Sequence, residues 1–204
     1  MKRQDEVKDL IIENAIQLIA DGGFEKATTK EITYSGGDLH GMKMNEVYIY
    51  RIFGNKEAVY DAAFARLDEE MFIAVKNALS SMGGWGGDLR ESLWELFLKA
   101  WDFVLEKRDR CRTYIRYYHS VYFKGESLDS HNKKFELIAS EFAPIFREEA
   151  NVYAIMHSTF TALLEFAICV CNGTVENNDD TRHHVFIVLY SMMMTYFKEP
   201  ARAF

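Results

Sequence analysis

Asn45-Glu46-Val47-Tyr48-Ile49-Tyr50-Arg51-Ile52-Phe53-Gly54-Asn55-Lys56-Glu57-Ala58 is the stretch on which the fold turns. It holds two asparagines, each set just ahead of a run with helical spacing. Asn45 is placed to cap a short helix of about residues 46–52, with Met44 positioned to staple against Ile49. Phe53-Gly54 turns the chain, and Asn55 then caps a long helix whose apolar positions at 59, 62/63, 67, 71, 75 and 79 carry it to about residue 81. Upstream, Thr28-Thr29-Lys30-Glu31 has the Thr-x-x-Glu spacing of a capping box and opens another short helix. The glycine-rich stretch Ser35–Gly41 ends it. Further back, apolar residues at 7, 10/11, 15, 18 and 19 form one face of a helix over about 5–21, stopped by Gly22-Gly23. Two short capped helices joined by a turn and preceded by a supporting helix make a helix-turn-helix arrangement.

Downstream, Gly83-Gly84-Trp85-Gly86-Gly87 is the clearest break in the chain and reads as a flexible hinge. Asp88 and Glu91 form a second capping box. They open a helix with Leu89, Leu93, Leu96/Phe97, Ala100/Trp101 and Val104 on one face. Further helices are expected at Arg110–Phe123, from Ser130 to a stop near Ala143 imposed by Pro144, at 151–172 and at 181–198. The fold class is therefore all-α with about nine helices: an N-terminal three-helix domain, 1–55, and a helical domain, 56–204, linked by helix 56–81.

The final helix is apolar all round, which demands burial on several sides. A chain of 204 residues has little to cover a terminal helix completely, so a two-fold homodimer is expected. Its interface would draw on Phe160, Leu163, Leu164, Ala167, Val185, Val188, Leu189, Met192 and Tyr196.

Composition narrows the class. The chain is 49% hydrophobic and 27% charged with a net charge of −7, which is ordinary for a folded domain and argues against binding nucleic acid or membranes by bulk charge. Only two prolines and twelve glycines leave few breakers for an all-β fold. Acidic Asp5, Glu6, Asp9 and Glu13 interrupt what an export signal would keep apolar. The apolar stretches near Phe160–Cys171 and Val185–Phe197 are shorter than the ~20 residues that span a bilayer. Three cysteines, an odd count, do not make a disulfide framework, and a reducing cytoplasm is the expected location with no membrane partner.

The combination Ile12-x-x-Ala15-x-x-Leu18-Ile19-x-x-Gly22-Gly23-Phe24-x-x-x-Thr28-Thr29-x-Glu31-Ile32, followed by Asn45 to Ala58, resembles the DNA-binding domain of the tetracycline-repressor (TetR) family of bacterial regulators. The resemblance covers about a quarter of the chain. It implies a cytoplasmic, ligand-responsive transcription factor, a repressor, that binds a palindromic double-stranded operator as a homodimer. By that resemblance Tyr50 and Lys56 hold phosphates, and Thr29 and Lys30 do so across the groove. The candidates for base contacts are Asn45, Glu46, Tyr48 and Arg51, with arginine suited to guanine and glutamate to cytosine. Val47 or Ile49, with Phe53, should turn inward.

Two departures from the family pattern stand out. Asn45 lies thirteen positions after Ile32 where the family has about seven, an insertion centred on Gly36–Lys43 that carries His40 and Lys43. Residues 1–60 hold eight basic against ten acidic residues, net −2, so binding should be weak without specific contacts and strongly salt-dependent. Both departures motivate a second reading, a helical ligand-binding or protein-interaction module with weakened DNA binding.

A ligand pocket for a small apolar or aromatic molecule is expected to draw on Trp94, Trp101, Tyr114, Tyr117, Tyr118, Met156 and Phe160, although core packing explains each of them as readily. Adjacent His183 and His184 point about 100° apart on a helix and do not converge on a metal. Cys169 and Cys171 are expected as buried, reduced thiols. No nucleophile elbow, zinc-protease helix or dinucleotide fingerprint occurs, so neither enzyme activity nor a cofactor or metal is expected.

Overall fold

The computed structural model describes residues 2–34 and 44–198. The insertion Gly36–Lys43, with His40, lies outside them. Nine α-helices occur among the described residues: α1 Lys2–Lys26, α2 Thr29–Tyr34, α3 Val47–Phe53, α4 Lys56–Ser81, α5 Leu89–Glu106, α6 Arg108–Tyr118, α7 Glu126–Phe142, α8 Val152–Cys171 and α9 Asp179–Met194. No strand is formed among these residues. A single antiparallel bridge pairs Phe146 with Phe197. The all-α expectation holds.

The capping asparagines and aspartate act as their positions suggest. Asn55 Oδ1 accepts from the Ala58 amide at 2.8 Å, and Asp88 Oδ1 accepts from Arg90 at 2.8 Å and Glu91 at 3.2 Å. Asn151 and Asn178 do the same for α8 and α9, at Ala154 and Thr181. Each satisfies an amide that the first turn leaves without a partner.

Several boundaries differ from the sequence reading. α1 runs past Gly22 to Lys26, but Gly23 breaks its geometry at φ 75°, ψ −173°, a region open in practice only to glycine. α6 stops at Tyr118 rather than Phe123 because Ser120 Oγ bonds the Tyr117 carbonyl and accepts from the Tyr122 amide, closing a turn instead of another helical step. α7 then starts four residues early, at Glu126. α9 ends at Met194 because the chain beyond pairs with the segment after α7. The Arg147 amide donates to the Tyr196 carbonyl at 2.9 Å and the Lys198 amide to Ile145 at 3.0 Å.

The chain divides into two compact units that do not follow chain order. The first comprises Met1–Glu70 with Asp109–Asp129, the second Met71–Arg108 with Ser130–Phe204. α4 contributes to both.

In the first unit Ile11, Ala15, Ile19, Ile32, Ile49, Val59, Phe64 and Leu67 are all but inaccessible to solvent. α6 is tied to α1 by side chains: Thr113 Oγ1 donates to the Ile16 carbonyl at 2.7 Å, and Arg116 donates to the Ile19 carbonyl. Arg110 bridges Glu13 and Glu70 while Arg66 bridges Glu13 and Asp9, so two guanidinium groups share one carboxylate.

Burial alone would raise the Glu13 pKa, but hydrogen bonds and charge from Arg110 and Arg66 outweigh it and hold the carboxyl below its ordinary 4.5. Tyr60 and Tyr117 move the other way. Burial raises both phenols, helped by Tyr122 and Glu57 for the first and by Asp61 for the second. The Tyr60 hydroxyl donates to the Ala27 carbonyl at 2.6 Å, a bond that ionisation would destroy.

A carboxyl with a lowered folded pKa stabilises above its unfolded value, and a phenol with a raised one stabilises below its unfolded value. Stability of this unit should therefore fall as pH drops below about 4.5 and again as pH rises past 10. Urea titrations across pH check this. The Tyr60→Phe, Tyr117→Phe protein should show a flattened alkaline limb and an unchanged acid limb.

In the second unit α8 packs on α5 and α9. Leu93, Phe97 and Trp101 of α5, Leu163, Leu164 and Ala167 of α8, and Val185, Phe186 and Leu189 of α9 are buried. α8 as a whole is longer than the stretch singled out in the sequence, and by length and composition alone it suffices to cross a membrane. Met156, Thr159, Leu163, Leu164 and Ala167 of it are buried within the chain, and 28% of its most apolar stretch is covered.

The hinge expectation for Gly83–Gly87 also changes. Trp85 anchors the loop, its indole N–H donating to the Glu141 carbonyl at 2.8 Å and its ring lying 5.1 Å from Phe142. Glycines at 83, 84 and 87 take positive φ to wrap the chain around that side chain. Cys169 and Cys171 are half-buried rather than buried, because they sit in the last turn of α8 beyond the face covered by its neighbours. Only Cys111 is enclosed, and none of the three forms a disulfide.

Candidate nucleic-acid interface

α3 is seven residues long, and among its described side chains Ile49 is the buried one. Ile49 is 0% exposed and Phe53 half-buried, whereas Val47 is 66% and Tyr50 56% exposed. Of the two residues left open by the sequence, Ile49 turns inward and Val47 outward. Val47, Tyr50 and Arg51 stand at i, i+3 and i+4 and therefore share the outward face.

The start of α3 is fixed by two side chains. Asn45 Oδ1 accepts from the Val47 amide at 3.0 Å. The Glu46 carboxylate accepts from the Thr29 hydroxyl at the first residue of α2, so the two short helices are pinned together at their N-terminal ends. Thr28 caps α2 through its hydroxyl, which accepts from the Glu31 amide at 3.1 Å. The Thr28 amide donates to the Lys26 carbonyl, so the box is closed from one side by the main chain. Asn14 Nδ2 donates to the Ile32 carbonyl at 2.8 Å and holds the other end of α2 against α1.

Cations surround this face. The Arg51 guanidinium lies 5.1 Å from the Tyr48 ring and Lys30 6.0 Å from the Tyr34 ring, distances at which an aromatic face orients a cation without neutralising it. Lys56, at the first residue of α4, sits 5.5 Å from the Tyr60 ring. Lys30, Tyr50 and Arg51 are exposed, Lys56 and Tyr48 partly so.

Three placements alter the expected site. The Thr29 hydroxyl and one Glu46 carboxylate oxygen are bonded to each other, so both are engaged within the protein. Asn45, expected as the cap, lies one residue before the cap position Glu46 and spends its side-chain oxygen on the Val47 amide. Val47, not among the expected contacts, is the most exposed apolar side chain of α3. Its orientation was unreadable because positions 47 and 49 are both β-branched and only the packing of α3 decides which is covered.

The residues expected to form one ligand pocket fall into different units. Tyr114, Tyr117 and Tyr118 belong to an aromatic cluster of the first, where Phe64 stacks on Tyr117 at 4.4 Å and on Tyr114 at 5.3 Å. The Tyr117 hydroxyl donates to Asp61 and lies 3.1 Å from Ser127 Oγ, so its polar end is taken. Trp94, Trp101, Met156 and Phe160 belong to the second unit. Trp101 and Met156 are buried there, while Trp94 and Phe160 keep partial exposure.

Among the expected dimer residues, Leu163, Leu164, Ala167, Val185 and Leu189 are covered within the chain itself. Val188 at 45% and Tyr196 at 46% exposure remain open, and Met192 and Phe160 are half-buried. Val188, Met192 and Tyr196 are four residues apart in turn, a stripe along α9 and its end.

No protein-family model and no curated protein matches the chain. Solved structures do. A TetR family transcription regulator from Marinobacter aquaeolei VT8 superposes with a TM-score of 0.73 at 18% identity, covering 94% of this chain and 98% of that one. A TetR-like transcriptional regulator from Rhodococcus sp. RHA1 gives 0.61 at 19% identity over 91% and 92%. The fatty acid degradation regulator FadR from Bacillus halodurans gives 0.62 at 20% identity over 89% and 96%.

Proposed function

The chain has the fold of TetR-family regulators, and from that premise we propose that it is a DNA-binding transcriptional regulator, a repressor released by a small molecule. The observation that carries this reading is α3 itself. A seven-residue helix buries Ile49, is pinned at its start to α2, and presents Tyr50 and Arg51 outward with Lys30 and Lys56 on neighbouring helices. An α-helix entering the major groove needs such a face, with cations at its margins to meet the phosphate backbones.

In this reading residues 1–55, with Lys56 at the start of α4, contact the operator, and the domain 56–204 regulates and dimerises. Arg51 reads a base, Tyr50, Lys30 and Lys56 hold phosphates, and Glu46, Thr29 and Asn45 position α3. The activity is binding rather than turnover, and the site of action is the cytoplasm. Low positive charge makes affinity depend on few contacts, so raising salt should weaken binding in proportion to the phosphates engaged, with a log–log slope of about −0.9 per phosphate.

The working form is a homodimer, which places two α3 helices on half-sites one turn or a multiple apart, about 34 Å per turn. Val188, Met192, Tyr196 and Phe160 supply its contact surface, with the buried leucines behind them. Val188→Glu should convert the dimer to monomer in sedimentation while leaving the helical spectrum intact, because a carboxylate has no partner in an apolar seam. A Val188→Glu protein that remains dimeric would place the interface elsewhere.

The ligand is a small apolar or aromatic molecule held in the regulatory domain, with Trp94 and Phe160 the partly accessible expected contacts there. It favours one spacing of the two α3 helices over the other and shifts operator occupancy by that difference in affinity.

A further inference from the structure

We propose that Val47 is a specificity residue that reads the C5-methyl group of a thymine in the major groove. This rests on the DNA-binding reading above and extends it to a residue that reading does not need. Val47 is 66% exposed, more than any other large apolar side chain on α2, α3 or α4. It stands on the same face as Tyr50 and Arg51, opposite the buried Ile49.

Its position is fixed rather than mobile. The Val47 amide is bonded to Asn45 Oδ1, and a β-branched side chain on a helix keeps essentially one χ1 rotamer. Two methyl groups are therefore held outward from the first turn of the helix. Beside it, one Glu46 carboxylate oxygen is taken by the Thr29 hydroxyl and the Asn45 side-chain oxygen by the Val47 amide. Val47 is the apolar group that this end of α3 offers a base edge.

In the major groove every base displays donors or acceptors, and thymine alone adds a methyl group, beside its O4 acceptor. A valine side chain gains nothing from guanine, cytosine or adenine edges and desolvates them without replacing a hydrogen bond. Against thymine it buries methyl on methyl. One turn further on, Arg51 supplies the donor fork suited to guanine, so α3 would read a thymine and a guanine in each half-site.

The test uses the full-length protein and the operator obtained by selection. Each thymine of a half-site is replaced in turn by deoxyuridine, which removes only the methyl group, and binding is measured for the native protein and for Val47→Ala. One thymine should stand out, where deoxyuridine weakens native binding about fourfold per half-site, the value of one buried methyl group. Val47→Ala should bind the thymine and deoxyuridine operators equally, and its unchanged helical spectrum would exclude a folding effect. A bound operator in which no deoxyuridine matters, or in which it matters equally for Val47→Ala, overturns the assignment of Val47 alone. Failure to select any operator overturns the DNA-binding reading and this inference with it.

Discussion

Replacing Arg51 and Lys56 together by alanine should abolish operator binding while leaving the fold and any ligand binding intact. Arg51 is exposed and Lys56 partly so. Among the described residues neither carries an ion pair that its loss would leave buried and unmatched. Each is counted twice in a dimer. A base-reading arginine is worth about 1–3 kcal/mol, so two of them account for roughly 2–6 kcal/mol, up to four orders of magnitude in affinity. Lys56 acts differently. Its contact is with phosphate, so Lys56→Ala alone should weaken all sequences alike and lower the salt slope by about one per protomer, whereas Arg51→Ala alone should relax preference at one base. Anisotropy titrations with specific and scrambled duplexes separate the two. A double variant that binds as tightly as the native protein would mean that α3 is not the reading element.

The second large effect is structural. Trp101→Ala should destabilise the second unit by about 3–5 kcal/mol, the usual cost of truncating a large aromatic side chain in a core. Trp101 is 0% exposed, its ring lies 5.6 Å from that of Phe97, and its indole N–H donates to Asn177 Oδ1 at 3.3 Å. Truncation loses the packing and the hydrogen bond together. Urea unfolding followed by fluorescence and by helical signal measures it, and a loss below about 1 kcal/mol would show that the site collapses around the gap or that the tryptophan is not in the core. This bears on function because Trp101 was also a candidate ligand contact. A side chain with no accessible surface can line a cavity only from behind other groups, and its first role is to hold α5 in place.

The local chemistry of this chain was legible in its sequence. Asn55 and Asp88 cap the helices they precede, Asn45 accepts from the first amide of α3 although Glu46 holds the cap position, and Pro144 sits in the short 3-10 turn Ala143–Ile145 that ends α7. These features depend on neighbours within a few residues, which a single sequence displays. What it concealed depends on residues distant in the chain. Glu46 looked free to meet a base because its partner, Thr29, lies seventeen positions away on another helix. Tyr114, Tyr117 and Tyr118 looked like company for Trp94 and Trp101, yet α6 joins α1 through Thr113 and Arg116 and carries its tyrosines into the first unit. The sequence shows α9 as apolar around its circumference, but only the packing of α5 and α8 divides it into the buried Val185, Phe186, Leu189 and the open Val188 and Tyr196. Periodicity marks an apolar face and cannot say which part of it the same chain covers.

The most direct measurement is an unbiased selection of bound fragments from randomised and genomic DNA with the purified full-length protein, at low and moderate salt. The expected result is enrichment of a two-fold symmetric site whose half-sites are one helical turn or a multiple apart, with binding that weakens as salt rises. A folded dimer that enriches no sequence at either salt concentration would contradict it and leave the chain as a ligand-binding or interaction module on a regulator's fold.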